Sequence, residues 1–257
     1  MLTAKDKKGI WLIVGVGLAL GSLLVAGIIF EPPEPGPDNC VGAPQASTVV
    51  VIDNSQSITE QTRREVSARI LSFVRDSVQQ NERVSLFRVS AISSDSLVPV
   101  FSRCRLQRDG NDLYEDARTM TRQFTERFQA PLEEAVSKLP SNSPSSPIAQ
   151  AMIDISLSEY LGPSATRLVV FSDLLENTPA FSLYGCVDGD VAIKNFRESR
   201  RGAQERPKFR GTSVFLNVIP RVNLPTQTTS GCRDKFWMWF FGDNPGGSLT
   251  PAFLPGR

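Results

Sequence analysis

Two apolar runs in this chain end in aspartate. VVVID closes on Asp53 and LVVFSD on Asp173, and the first is followed at alternate positions by Ser55 and Ser57. Between them SNSPSSPIAQAM sets Ser145 and Ser146 just ahead of a helical pattern, so either hydroxyl can be brought to the same place. Carboxylate and hydroxyl oxygens, with no imidazole or thiolate among them, are the donors a hard divalent cation selects, magnesium or manganese first and calcium after. The chain has no histidine at all. A Ser/His/Asp triad, a Cys/His pair and His-ligated zinc are therefore excluded by composition.

Positioning two such aspartates takes two strands that lie side by side. Val49 to Ile52 are four β-branched residues in a row, the pattern of a strand buried on both faces. In an open parallel sheet ligands collect beyond the carboxyl ends of the strands, which is where both aspartates fall. A helix is expected from about Ile58 to Gln80, with Val66, Ile70, Phe73 and Val74 on one stripe. VSLFRVS (84–90) and LVPVFSRC (97–104) read as strands joined by an SSDS turn, hence a hairpin. Helices follow over 118–139 and 147–160, then strands over 166–173 and 212–220 with a long polar segment between them, and a last helix around RDKFWMWFFGD. The alternation predicts an α/β sandwich, Rossmann-like, with a mostly parallel central sheet flanked by helices.

Plainer readings compete for the same residues. Ser57 and Glu60 have capping-box spacing for a helix opening at Ile58, and Asp53 can satisfy backbone donors in a turn. The basic stretch 194–211 fits a solvated surface helix and loop better than a patch for an acidic partner, and WMWFF (237–241) fits a helix packed on the sheet better than an interfacial anchor.

Residues 10–30 are apolar apart from Ser22 and long enough to cross a hydrocarbon core of about 30 Å as a single transmembrane helix. Lys5, Lys7 and Lys8 precede it, whereas Glu31, Glu34 and Asp38 follow, so residues 1–9 are expected in the cytoplasm and the remainder in the periplasm or another extracytoplasmic space. Gly17 and Gly21 form a GxxxG pair, a route to helix-mediated self-association. Residues 31–46 hold five prolines and read as an extended linker. All four cysteines follow the span, in an even number and without CxxC spacing, which suits disulfides. A net charge of +1 gives no reason to expect nucleic acid as a partner.

In order and separation, Asp53-x-Ser55-x-Ser57, the hydroxyl at Ser146 and Asp173 resemble the von Willebrand factor A (vWA) domain and its metal-ion-dependent adhesion site. The resemblance covers residues 47–244, leaving 245–257 as a C-terminal tail. It implies a Mg2+ (or Mn2+ or Ca2+) held by Ser55, Ser57 and Ser146, with Asp53 bound directly or through water and Asp173 behind them. It further implies a non-enzymatic module that captures an Asp or Glu of a protein partner. Two departures stand out: serine occupies the usual threonine position, where Ser145 competes with Ser146, and Leu174 follows the last aspartate where glycine is common. The family topology also implies disulfides Cys40–Cys104 and Cys186–Cys232. The alternatives are a metal-free structural envelope component of the same fold and a magnesium-dependent phosphotransfer enzyme of the haloacid dehalogenase type. The latter puts a second aspartate where this chain has Ser55.

Overall fold

The β-branched run forms the middle of a six-stranded sheet. In the computed structural model, which describes residues 15–18, 21–22, 34–53, 59–89, 97–110, 116–138, 145–161, 165–209, 211–219, 226–242 and 249–253, β1 (Ala46–Ile52) runs parallel to both neighbours. These are β2 (Arg83–Arg88) and β4 (Ala165–Ser172). β3 (Phe101–Cys104) pairs antiparallel with β2, while β5 (Ser213–Val218) and β6 (Leu249–Phe253) extend the sheet in parallel beyond β4. The order is β3-β2-β1-β4-β5-β6, so successive strands move outward from β1 in one direction and then from β4 in the other. The reversal makes the crevice beyond β1 and β4 the topological switch point.

Strand alternation sends side chains into two cores. Val49, Val51, Leu168 and Val170 face one, and Val50, Ile52, Val169 and Phe171 the other, none more than 4% exposed. Burying one such side chain is worth about 1.5–3 kcal/mol, and helices cover both faces of the sheet to achieve it. On the second face lie α1 (Glu60–Ser77), α2 (Ala117–Phe124) and α3 (Ala130–Ser137), with a π-helical turn, Thr125–Gln129, joining the last two. Phe124, Phe128, Leu132 and Val136 are buried at steps of four. In an α-helix each such step overshoots a full turn by about 40°, and the wider π turn absorbs part of that drift. On the first face lie α4 (Ile148–Leu157), α5 (Gly189–Ser199) and α6 (Thr226–Gly242). Phe236, Trp237, Phe240 and Phe241 of α6 are buried there, so the WMWFF segment packs on the sheet.

Several elements differ from the sequence expectation. α1 begins at Glu60, and its N-cap is Thr59, whose hydroxyl accepts the Thr62 N–H at 3.1 Å; Ser57 is not the cap. The long polar segment contains α5, capped by the Asp188 carboxylate on the Asp190 N–H at 2.7 Å. The tail assigned to 245–257 supplies β6, an edge strand in which Pro251 stands opposite Leu216. Proline, lacking an N–H, hides a strand from sequence patterning and is tolerated at a sheet edge. The second half of the proline-rich linker is docked, not free. Asp38 pairs with Arg83 at 2.8 Å, its carbonyl accepts the Cys104 N–H at 2.8 Å, and the Asn39 amide donates to the Arg127 carbonyl at 3.0 Å. The chain divides into two units, Met1–Pro35 and Gly36–Arg257, the boundary falling inside that linker.

The disulfides are Cys40–Cys104 and Cys186–Cys232, the expected pairing. Of the expected transmembrane span, residues 15–18 and 21–22 are described and helical, and the rest of 10–30 lies outside the described residues. Among the described residues no helix is long and apolar enough to cross a membrane.

Candidate metal centre at the carboxyl edge of the sheet

Asp53 is the first residue beyond β1, and its N–H still bonds the Phe171 carbonyl of β4 at 2.8 Å. The sheet ladder thus fixes the backbone that carries the carboxylate. The residue is buried, and its Oδ2 accepts two hydroxyl protons, from Ser146 at 2.9 Å and from Ser172 at 2.8 Å. Each of these serines is itself held. Ser172 ends β4 and its Oγ also accepts the Leu174 N–H at 2.8 Å. Ser146 forms a two-way backbone bridge with Asn177, at 2.8 Å and 3.0 Å, which ties the segment just before α4 to the loop after β4. Ser146 is thus one hydroxyl that reaches Asp53.

Asp173 is the next residue along that loop, also buried, with Oδ1 accepting the Leu175 N–H at 2.9 Å. Leu174 takes a left-handed conformation, φ 59°, where glycine is the ordinary choice. The surroundings hold it there: its side chain is buried in the core, and its carbonyl accepts the Trp237 indole N–H at 2.7 Å. Arg233 of α6 donates to the Asp173 carbonyl at 3.2 Å, and the Cys186–Cys232 bridge ties the far end of the loop to the same helix.

A third carboxyl group stands at this edge. Glu176 is 2% exposed, and its Oε2 accepts the Ala149 N–H at 2.8 Å. α4 starts after Pro147, which makes no side-chain cap bond, so Glu176 supplies from a distance the acceptor that its first turn lacks. Burial pushes this carboxyl up to about 8, against the pull of the Ala149 and Ile148 N–H groups, and the charge of Asp53 pushes the same way. At pH 7 its protonated form outnumbers the ionised one about tenfold.

Of the expected ligands, Ser146 and Asp53 are in contact, and Asp173 follows Ser172, which also donates to Asp53. Ser55 and Ser57 lie outside the described residues. Sequence reasoning missed Ser172 and Glu176. The one signal for them was polar residues set in an apolar run, FSDLLE. Among the described residues, no group of three or more His, Cys, Asp or Glu side chains is arranged to hold a metal ion. A site at this edge therefore depends on hydroxyls beside its carboxylates. The donor chemistry fits a hard cation: Ser146, having given its proton to Asp53, keeps its lone pairs for an electrophile.

No family model matches the chain, and no curated protein matches it. Among solved structures the chain is similar to the human COPII-coat protein Sec24c at 12% identity and a TM-score of 0.38, over 83% of this chain and 30% of that one. The chain thus spans less than a third of that protein's length.

Proposed function

We propose that the chain is a membrane-anchored, extracytoplasmic binding module of the vWA type, with an edge site that takes Mg2+ or Mn2+ and captures an acidic residue of a protein partner. Asp53, Ser55, Ser57 and Ser146 would hold the ion, with Asp173 behind them. A bound divalent cation supplies a position that a partner's Asp or Glu carboxylate can fill, and no bond is made or broken. The observation that carries the reading is the hydroxyl of Ser146 on the carboxylate of Asp53, a contact spanning 93 positions of sequence at the switch point. Charge supports it as well. Asp53 and Asp173 supply two carboxylates against the two charges of a divalent ion. Thr59 caps α1, so helix capping makes no demand on Ser57. The apolar run 10–30 and the two disulfides support an anchor and an oxidising compartment.

Two experiments test this. A reporter that works only outside the cytoplasm, fused after Arg257, is expected to be active; activity of a cytoplasm-only reporter there would overturn the topology. Cross-linking in intact membranes, followed by purification of the native chain and of Asp53→Ala, is expected to give a partner with the first alone. One observation favours a second, metal-free structural reading: Asp53 Oδ2 already accepts two hydroxyl protons, so its network closes without an ion. Identical partners for both proteins would favour that reading.

A further inference from the structure

Away from the switch point, a cavity of about 580 Å³ opens along β3. Six consecutive residues, Val98 to Arg103, line it, so both alternating sets of side chains take part. A groove lined in this way runs along the outer edge of a strand and not over one face of the sheet. Its other wall is one side of α3 and the residue after it: Pro131, Glu134, Ala135 and Lys138 recur at helical spacing.

β3 is an edge strand, and the chain already uses one end of that edge. The outward N–H of Cys104 donates to the Asp38 carbonyl at 2.8 Å. Antiparallel alternation puts the N–H and C=O of Ser102 on the same outward side, facing the groove. The docked linker thus accounts for the Cys104 end, and the groove for the rest.

The groove is cationic. Arg88, Arg103 and Lys138 line it against a single acid, Glu134, which pairs with Lys138 at 2.5 Å. Arg103 donates to the Arg127 carbonyl at 2.6 Å. Arg88 differs. Its Nε is buried and lacks a hydrogen-bond partner among the described residues. Arg83 and Arg105 also leave Nε unbonded, but each spends another guanidinium nitrogen, on the Asp38 carboxylate at 2.8 Å and the Val78 carbonyl at 2.5 Å. A guanidinium whose Nε is buried without a partner among the described residues carries a desolvation cost that a carboxylate reduces, since the fork of an arginine matches a carboxylate's two oxygens.

We propose that this groove is a second binding site, which receives an extended, acidic peptide segment of a partner protein. The segment adds as a strand beside β3 and places an Asp or Glu carboxylate on Arg88. Main-chain bonds to the outward N–H and C=O of Ser102 supply affinity, and the cations supply the preference for acid. The site does not depend on a metal at the switch point.

The test is fluorescence anisotropy with the full chain in detergent micelles and a fluorescein-labelled octapeptide of alternating Val and Glu. Saturable binding is expected, weakened at least tenfold by Arg88→Gln and by Lys138→Glu, and lost when the peptide carries Lys for Glu or is N-methylated at alternate amides. Lys138 is exposed at a helix end, so its variant leaves the fold intact and guards against misfolding of the first. No saturable binding at 1 mM peptide, or equal binding by native protein and both variants, would overturn the proposal. Equal competition by free glutarate would assign the groove to a small anion, and self-association abolished by Arg88→Gln would assign it to a second copy; either result overturns the strand.

Discussion

Replacing Glu176 with glutamine separates what this carboxyl does as a hydrogen-bond acceptor from what it does as an acid. The amide keeps an oxygen for the Ala149 N–H, so the first turn of α4 stays satisfied, but the side chain no longer titrates. In the native protein burial raises the group from 4.5 to about 8. Below pH 4.5 the folded and unfolded chains both hold the proton, and the contribution to stability is complete. Between 4.5 and 8 the unfolded chain has released it while the folded one retains it, so stability falls as pH rises, by about 1.4 kcal/mol per unit. Above the folded value the loss levels off. The whole rise corresponds to about 5 kcal/mol, an upper bound and a large share of the roughly 5–15 kcal/mol that holds an ordinary domain folded. Urea unfolding of the native chain and Glu176→Gln, followed by circular dichroism from pH 5 to pH 8 in chelator, reads the difference directly. The variant is expected to gain on the native protein steadily with pH and to be the more stable of the two at pH 8. A difference that stays flat across that range would mean the carboxyl is ionised in both states and that its burial does not hold the proton.

Three further substitutions test how the edge and the sheet are held. Leu174→Gly removes a left-handed strain of about 1–2 kcal/mol but empties a buried site whose loss costs roughly 2–5 kcal/mol, so a net fall in stability is expected in urea titrations; a gain would mean strain dominates. Glu82→Ala leaves Arg167 without the carboxylate it holds at 2.5 Å, and with that arginine one quarter exposed a loss of roughly 2–4 kcal/mol is expected; an unchanged midpoint would mean Arg167 finds water instead. Paired Cys40→Ser and Cys104→Ser opens a 64-residue separation and should cost roughly 2–4 kcal/mol, measured as a fall in melting temperature; an unchanged melting temperature would show that Asp38 and Asn39 dock the linker unaided.

The parts of the fold legible in sequence were those with strong local periodicity. Val49 to Ile52 and Leu168 to Phe171 read as buried strands, and as neighbours in the sheet they bring Asp53 against Ser172 at their ends. What escaped was decided by tertiary contacts. Thr59 outcompeted Ser57 for the N-cap, although both have the right chemistry, because the choice depends on where the chain leaves β1. Pro251 hid β6, and the linker's prolines hid its docking, which rests on Asp38, Asn39 and Cys40 and not on any apolar pattern. Glu176 gave only the weak signal of a polar residue in the run FSDLLE, because its burial follows from the bridge between Ser146 and Asn177 that brings α4 against the loop after β4.

In the proposed function the carboxylate of Asp53, with serine hydroxyls around it, binds a divalent cation. Isothermal titration calorimetry of the full chain in detergent with magnesium, and then with manganese, measures it most directly. Saturable one-site binding is expected for the native protein, absent in Asp53→Ala, whose far-ultraviolet circular dichroism should match the native spectrum. A native protein with intact dichroism that takes up neither ion at millimolar concentration would contradict the account and leave the hydrogen-bonded edge as structure alone.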